Sequence, residues 1–488
     1  SGGIDREAVV DTGKSHRQVR PIAPEERVDY VGGTPRPAVV REALREEAYD
    51  LGLRGRADGT FVPAADDPAP QPGWEPEALP ERYVRTVEDL LVERHGANWH
   101  RGASGDRLRE TVARLKSDYY RRNDVEYDAE TAVAYAVYHL PNYYAAVGYV
   151  VDDLAERGRL PRRLRVLDVG AGVGGPALGL FEYLPDDAVV DYHAVEPSAA
   201  ADVLERLLPE TGRNVRTTIH RDAAESFDPD SEFDGGVDLV LFANVLSELD
   251  DPESVATRYL DAVAADGSFV ALAPADRNTA VGLRRVERAL APPDADVSVY
   301  APALRLWPDE APTDVGWSFD RRPDVDAPAF QRRLDEGGDP DAGAEAEGSG
   351  GGRVPGDGTF LNTSVQFSYT ILRPDGDRRT AVRASPDRHA RMAEMERHVT
   401  NRIDLLAVKL SRDLTDDAGA NPLFRVGDGS QAVDHYAVST ADDRLNRALL
   451  SADYGDVLSF ERVLCLWNDD EGAYNLVVDR ETVVERVA

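Results

Sequence analysis

The sequence predicts an α/β protein, with a doubly wound parallel sheet behind a helical N-terminal region and a β-barrel towards the C-terminal end. Three observations predict it. The stretch "RVLDVGAGVGG", Arg165 to Gly175, is a strand that runs into an aspartate and then into glycines at alternate positions, the pattern of a turn that holds a phosphate or a nucleoside. From there to Pro274, strand-like and helix-like stretches alternate, as they do where crossover helices connect parallel strands. Residues 399–488 hold five short stretches of alternating apolar residues, with one helical stretch between the third and the fourth, the order of a closed five-stranded barrel.

Taken in order, residues 1–65 read as an N-terminal arm and the proline-rich "DDPAPQPGWEPEALPE" (66–81) as a linker. Residues 82–160 form a helical region. Within it "ETAVAYAVYHLPNYYAAVGYVVDDLAERG" is apolar at helical spacing, with Pro141 placed to start a second helix. The sheet domain, 161–376, reads as strands "RVLDVG", "VDYHAVEPS", "VRTTIHRD", "VDLVLFANVLSEL" and "GSFVALAP", with helices "PALGLFEYL" and "AADVLERLL" between the first three. An acidic, low-complexity insertion, 335–357, interrupts the domain. Residues 377–398 are expected as a connecting helix. The barrel, 399–488, is built from "VTNRIDLLAVKLSRDL", "LFRVGDGSQ", "AVDHYAVST", the helix "DDRLNRALLSA", "GDVLSFERVLCLW" and "AYNLVVDRETVVERV".

At 488 residues the chain is too long for one ordinary core and should divide into two or three domains. Its formal net charge of −34 fits a disordered acidic chain, a binder of cationic partners or a globular protein adapted to a salt-loaded cytoplasm, and the 42% of hydrophobic residues argues against the first. Lysine occurs only at Lys14, Lys116 and Lys409, whereas arginine is abundant and acids occur throughout. That composition resembles haloarchaeal cytosolic proteins. In molar salt the Debye length is about 3 Å, so an acidic surface does not exclude an RNA partner. No apolar run is long enough to span a bilayer, and "SGGIDREAVV" lacks the apolar core of a signal peptide, so a cytoplasmic location and no membrane partner are expected. The single cysteine, Cys465, excludes an intramolecular disulfide and any cluster held by several thiolates of this chain.

Gly170, Gly172 and Gly175 fit G-x-G-x-x-G and leave NAD and S-adenosylmethionine (SAM) both open. Asp168, two residues before the first glycine, tilts the balance towards SAM, with NAD as the alternative. It resembles the first motif of class I SAM-dependent methyltransferases, where this carboxylate lies near the methionyl end of the cofactor. Glu196 closes the second strand, placed to accept two ribose hydroxyls. Asp222 closes the third, where such enzymes often carry an acid for the adenine amine. Each acid taken alone also reads as a helix N-cap. The expected cofactor set is Asp168, Gly170, Ala171, Gly172, Gly174, Glu196, Pro197, Asp222 and Asn244, the last lining the acceptor pocket. No metal-ligand set is visible, and no catalytic residue is assigned.

The acceptor is argued by elimination. Pyrimidine C5 methylation needs a cysteine nucleophile, and Cys465 lies far outside the sheet domain. Ribose 2′-O methylation in its common form uses lysines, and none lies between Lys116 and Lys409. Exocyclic-amine methylation usually shows an N/D-P-P-aromatic motif after the fourth strand, where this chain has "FANVLSEL". Transfer from a sulfonium can still proceed by positioning alone.

The flanks carry a wider resemblance. "HLPNYYAAVGYVVDDLAERGRLPRRLRVLDVGAGVGGPAL", "DLVLFANVLSEL" and "QFSYTILRPDG" together resemble a family of methyltransferase-like proteins of the small ribosomal subunit, over about Val133 to Gly376. The resemblance implies a factor of small-subunit assembly or translation initiation, bound to the 30S subunit and its rRNA as a monomer, with SAM at Asp168, Gly170, Gly172 and Glu196. Many family members carry four cysteines for an iron–sulfur cluster. The matching stretch "VSVYAPALRLWPDEAPTDVGWSFD" has neither Cys nor His, so no such cluster is expected, and Trp307 and Trp317 are expected to fill that lobe with apolar bulk.

The order of the barrel strands matches an OB-fold, and "FRVGDGSQ" and "YGDVLSFERV" resemble single-strand-binding OB domains of the replication protein A kind. Phe424, Tyr436, Trp467 and Tyr474 are the candidates to stack bases, with Trp467 and Tyr474 foremost. For phosphate contacts the candidates are Lys14, Arg17 and Arg20, then Arg157, Arg162 and Arg163, and then Arg378, Arg379, Arg388 and Arg391. A solvated, ion-paired face is the plain alternative for each cluster. Three functional readings stay open here: a 30S-binding factor with rRNA methyl transfer as its candidate activity, a small-molecule SAM-dependent methyltransferase, and an rRNA-binding protein without catalysis.

Overall fold

The structure is a computed structural model that describes residues 5–16, 20–28, 31, 36–121, 128–308, 316–337 and 354–488. The chain divides into two compact units, one of Ser1–Leu241 with Asp324–Thr363, the other of Phe242–Pro323 with Ser364–Ala488. Among the described residues no helix is long and apolar enough to cross a membrane.

In the first unit the sheet strands are β1 (Arg163–Val169), β2 (Val189–Val195), β3 (Val215–His220) and β4 (Val237–Ala243), in the order β3-β2-β1-β4. β1 and β2 pair in parallel, as do β2 and β3. All seven residues of β2 are buried, as the strand of a sheet covered on both faces must be. The order reverses beside β1, and ligands of open α/β sheets sit in the crevice at the carboxyl ends of the strands where it does.

Three long helices flank these strands: α1 (Glu81–His95), α2 (Gly102–Arg121) and α3 (Ala129–Glu156). α3 overturns the expected break at Pro141, because the helix runs through it and buries it. An internal proline costs about 3 kcal/mol, a loss the packing of this apolar helix outweighs. Its neighbour α4 (Gly175–Tyr183) lies so close that a Cβ on Gly179 would stand 2.1 Å from the Tyr144 carbonyl oxygen.

The segment 66–81 has no helix or strand before its last residue, yet it is held. The Trp74 indole donates to the Ala145 carbonyl at 2.9 Å, and its ring lies over Gly148, where a Cβ would meet it at 2.2 Å. The N-terminal residues, expected as an arm, carry helices and a two-stranded hairpin. Val9, Ile22, Leu44 and Phe61 share their core.

The second unit begins at the end of β4. Its strand β5 (Val263–Pro274) pairs antiparallel with β8 (Val365–Arg373), which also pairs antiparallel with β6 (Ser298–Ala301) and β7 (Asp320–Arg322). The sheet is therefore mixed, where a parallel one was expected. The helix expected at 377–398 reduces to a 3-10 segment, Met392–His398.

The barrel strands are β9 (Arg402–Lys409), β10 (Leu423–Gly427), β11 (His435–Ser439), β12 (Val457–Asn468), β13 (Ala473–Val478) and β14 (Val483–Arg486). The ring β9-β10-β11-β13-β12 closes through β9 and β12, with a parallel pair at β11 and β13. This is an OB-like barrel. The stretch "AYNLVVDRETVVERV", expected as one strand, is two, split at a turn in which the Asp479 amide donates to the Thr482 hydroxyl, and β14 adds to β12.

Candidate functional site

Asp168 ends its strand nine-tenths and more buried, at 1% exposure. The Tyr192 hydroxyl donates to its Oδ2 at 2.6 Å, while its Oδ1 is buried with no partner. Burial, with the charge of Glu196, raises this carboxyl to about 7 against the pull of the Tyr192 hydrogen bond.

The glycine turn follows. Gly170, Gly172 and Gly174 have φ of 66°, 57° and 102°, a region open to glycine and strained for other residues. At Gly174 a Cβ would also strike the Leu204 side chain at 2.5 Å. The amides of Gly170 and Ala171 both donate to the Val195 carbonyl, tying the turn to β2.

Glu196 locks the turn from the other side. Its Oε2 accepts from the Gly172 amide at 2.8 Å, and its Oε1 accepts from the amide and hydroxyl of Ser198 at 3.1 and 2.6 Å. Pro197 is exposed beside it. The structure thus brings together Asp168, Gly170, Ala171, Gly172, Gly174 and Glu196, and adds Tyr192 and Ser198, which the sequence reading missed. Tyr192 had a signal. It lies at the same parity as Ala194, the register partner of Asp168 in β2, so its side chain falls on the aspartate's face.

Asp222 stands exposed in the loop after β3. Asn244 belongs to the second unit, where its amide donates to the Leu272 carbonyl at 2.9 Å and its φ is 62°, a conformation asparagine tolerates better than most residues.

On the opposite face of β2, Asp191 is fully buried and accepts from Arg165 and Arg216, and the ring of His193 lies 3.2 Å from it. Those contacts outweigh burial and hold its carboxyl below the usual carboxylate range. His193 Nδ1 faces His220 Nε2 at 3.0 Å, and a Glu232 oxygen lies within 4.8 Å of both side chains' ligand atoms. The trio resembles a metal centre in composition. Yet the rings are 14° from coplanar with centroids 5.3 Å apart, which puts the two nitrogens in line. An ion between in-line nitrogens needs them about 4 Å apart. The pair is an imidazole–imidazole hydrogen bond.

The basic candidates are divided. Arg162 bonds to Asp67 and Asp187, both at 2.7 Å. Arg163 donates to the Tyr49 carbonyl and lies over its ring. These contacts tie N-terminal segments to the sheet, Arg162 through ion pairs and Arg163 through backbone carbonyls and the Tyr49 ring. Arg20 pairs with Glu26 at 2.9 Å. Lys14, Arg157, Arg378 and Arg388 are exposed and Arg379 is half-buried. Arg391 lies 5.5 Å from the centre of the Trp307 ring, and Arg17 lies outside the described residues.

Of the barrel aromatics, Phe424 is core at 4% exposure, and the half-buried Tyr436 accepts from Arg425. Trp467 is 40% exposed and meets Tyr474 edge-on at 4.7 Å. Trp307 and Trp317 do more than fill space, since their indoles donate to Asp428 and to the Ala275 carbonyl.

Comparison with known proteins accords with this geometry. Residues 167–269 match the family described as a methyltransferase domain. Residues 6–57 and 393–487 match the N-terminal and C-terminal domains of a domain of unknown function, DUF8157. No curated protein matches the chain. Similar solved structures include the plantazolicin methyltransferase BpumL in complex with SAH, at 10% identity and TM-score 0.30, covering 60% of this chain and 98% of that one. They also include a SAM-dependent methyltransferase from Leishmania major, at 16% identity and TM-score 0.22 over 28% of this chain and 55% of that one. A third is the sugar N-methyltransferase KedS8 from Streptoalloteichus, at 23% identity and TM-score 0.21 over 26% and 47%. The chain thus spans about half the length of the latter two, and likenesses of this size say nothing about substrate.

The chain therefore carries an α/β methyltransferase fold, and SAM is its expected cofactor. The residues fit it: Asp168 has a buried, unpartnered carboxylate oxygen, the space above Gly172 is open, and Glu196 presents a carboxylate at the turn. A pH dependence follows. Asp168 ionises only as the pH rises through about 7, and the ionised form complements a methionyl ammonium. SAM affinity is expected to fall by up to tenfold per unit below pH 7 and to level off above it. The unliganded fold runs the other way, because a raised carboxyl contributes stability at low pH that is lost as the pH rises through about 7. Titration calorimetry from pH 6 to 8 checks this, and a profile as steep in Asp168→Asn as in the parent would reject it.

Proposed function

We propose that this protein is a SAM-binding factor of the small ribosomal subunit, acting during assembly or initiation, with rRNA as its candidate methyl acceptor. The observation that carries the reading is a methyltransferase fold in one chain with an OB-like barrel whose Trp467 and Tyr474 rings meet at the surface. The motifs around Tyr144, Val245 and Phe367 support the ribosomal assignment by resemblance. A metabolite enzyme has no use for a base-stacking module.

SAM supplies a methyl group activated on a sulfonium. The chain's own contribution is placement. Glu196 and the glycine turn orient the nucleoside end, Asp168 the ammonium end, and transfer then depends on alignment with the acceptor.

Co-sedimentation of the full-length protein with 30S particles at molar salt tests the proposal. Trp467→Ala and Tyr474→Ala are each expected to weaken pelleting about tenfold, some 1.4 kcal/mol, within the range of one lost base stack, while SAM affinity stays unchanged. Trp467 lies outside the barrel's buried core, so the melting temperature of Trp467→Ala should hold, whereas the half-buried Tyr474 packs against that core and Tyr474→Ala should melt somewhat lower. Pelleting that is absent in the parent, or as strong in both variants as in the parent, would refute it.

A further inference from the structure

Within the second unit a recess with a cavity volume of about 30 Å³ is lined by Arg284, Glu287 and Arg288 of the helix Arg277–Leu290, by Arg305, and by the barrel turn at Gly427 and Gly429. Three guanidinium groups thus share it with one carboxylate, in a chain of net charge −34. The carboxylate is already engaged: Glu287 accepts from Arg284 and, at 2.7 Å, from the Thr370 hydroxyl.

Arg305 is hydrogen-bonded less completely. Its Nη1 donates to the Ala291 carbonyl, but its Nε and Nη2 are buried with no hydrogen-bond partner. Nη2 lies 4.0 Å from Glu287, beyond hydrogen-bond reach. Nε and Nη2 form one edge of the guanidinium, the edge that grips an oxyanion with two parallel N–H bonds. Burial, with the positive charges of Arg288, Arg284 and Arg378, holds Arg305 below the usual guanidinium range against the pull of Glu287. The Nε of Arg284 is likewise buried and unpartnered. Buried donors without acceptors are costly, above all on a charged group.

The barrel turn is pressed against the backbone at Leu304 and Arg305. Gly429 has φ of 89°, and a Cβ there would stand 2.5 Å from the Leu304 carbonyl oxygen and 3.1 Å from the Arg305 Cα. Glycine is what lets the turn close the recess.

We propose that this recess binds an oxyanion of the phosphate class, gripped by the Nε–Nη2 edge of Arg305 with Arg288 beside it. The group is either a phosphate on a small molecule or a backbone phosphate of a nucleic acid. The inference does not rest on the ribosomal reading.

Thermal melts of the full-length protein in inorganic phosphate, against sodium chloride at matched ionic strength, test it. The parent should show a saturable rise in melting temperature with phosphate, as any ligand of the folded state produces. Arg305→Gln should weaken the apparent phosphate affinity at least tenfold. Arg305→Lys, which keeps the charge without the two-pronged edge, should recover only part of it. Arg288→Gln, at a half-buried position, should weaken it several-fold and serves should Arg305→Gln fold poorly. No saturable effect in the parent, or affinity equal to the parent's in Arg288→Gln and the Arg305 variants, overturns the proposal. Displacement of phosphate by a short oligoribonucleotide without terminal phosphates marks the backbone as the source. Displacement only by phosphomonoesters marks a small molecule.

Discussion

Glu196→Ala is expected to weaken SAM binding by about 2–3 kcal/mol, roughly 30- to 150-fold. Two losses combine. The carboxylate is expected to accept the ribose hydroxyls, and its removal would take away charged acceptors. It also accepts from the Gly172 amide and from Ser198, so the turn loses its brace and becomes less well formed for any ligand. Glu196→Gln separates the two effects. It keeps one acceptor oxygen and the shape of the side chain, and should fall between parent and alanine variant. Calorimetry with SAM and with its demethylated product reads both. Unchanged affinity in the alanine variant, or tight NADH binding by the parent, would remove the assignment.

Gly179→Ala should cost the first unit about 3 kcal/mol, at the upper end of what overpacking usually costs. The added methyl group meets the Tyr144 carbonyl oxygen at 2.1 Å and Val147 at 2.5 Å. The oxygen belongs to a helix backbone, so α3 and α4 would have to move apart. Gly282→Ala provides the contrast. That residue sits inside the helix Arg277–Leu290 with nothing within 4 Å of a Cβ, and alanine there should stabilise by up to about 1 kcal/mol through helix propensity alone. Urea denaturation of the two variants checks the signs. Equal stability in Gly179→Ala would mean the two helices are not in the close contact described.

Much of the site was legible in the chain itself. Asp168, the glycines and Glu196 were readable because a strand ending in a tight turn needs residues of fixed type at fixed short spacing. The barrel was readable for a similar reason, since period-two alternation and turn residues are local signals. Pro141 misled because the local rule against an internal proline is weaker than the packing of a buried helix. The split at Asp479–Thr482 was missed because both halves alternate in phase.

What the sequence by itself determined is the first strands of the sheet, the glycine turn and the cofactor class, because each is written within a dozen neighbouring residues. Only the tertiary structure decided which charges are spoken for. Arg162 and Arg163 read as basic surface, yet their partners Asp67, Asp187 and Tyr49 lie from 25 to 114 residues away in the chain. Tyr192 is 24 residues from the aspartate it bonds. Arg305, an unremarked residue in a loop, is left with two buried donors between a helix and a barrel turn that nothing in its local sequence connects. A side chain's charge is fixed by its type, but whether that charge is neutralised depends on what the fold places within about 4 Å of it, because ion pairs and hydrogen bonds act only over such distances.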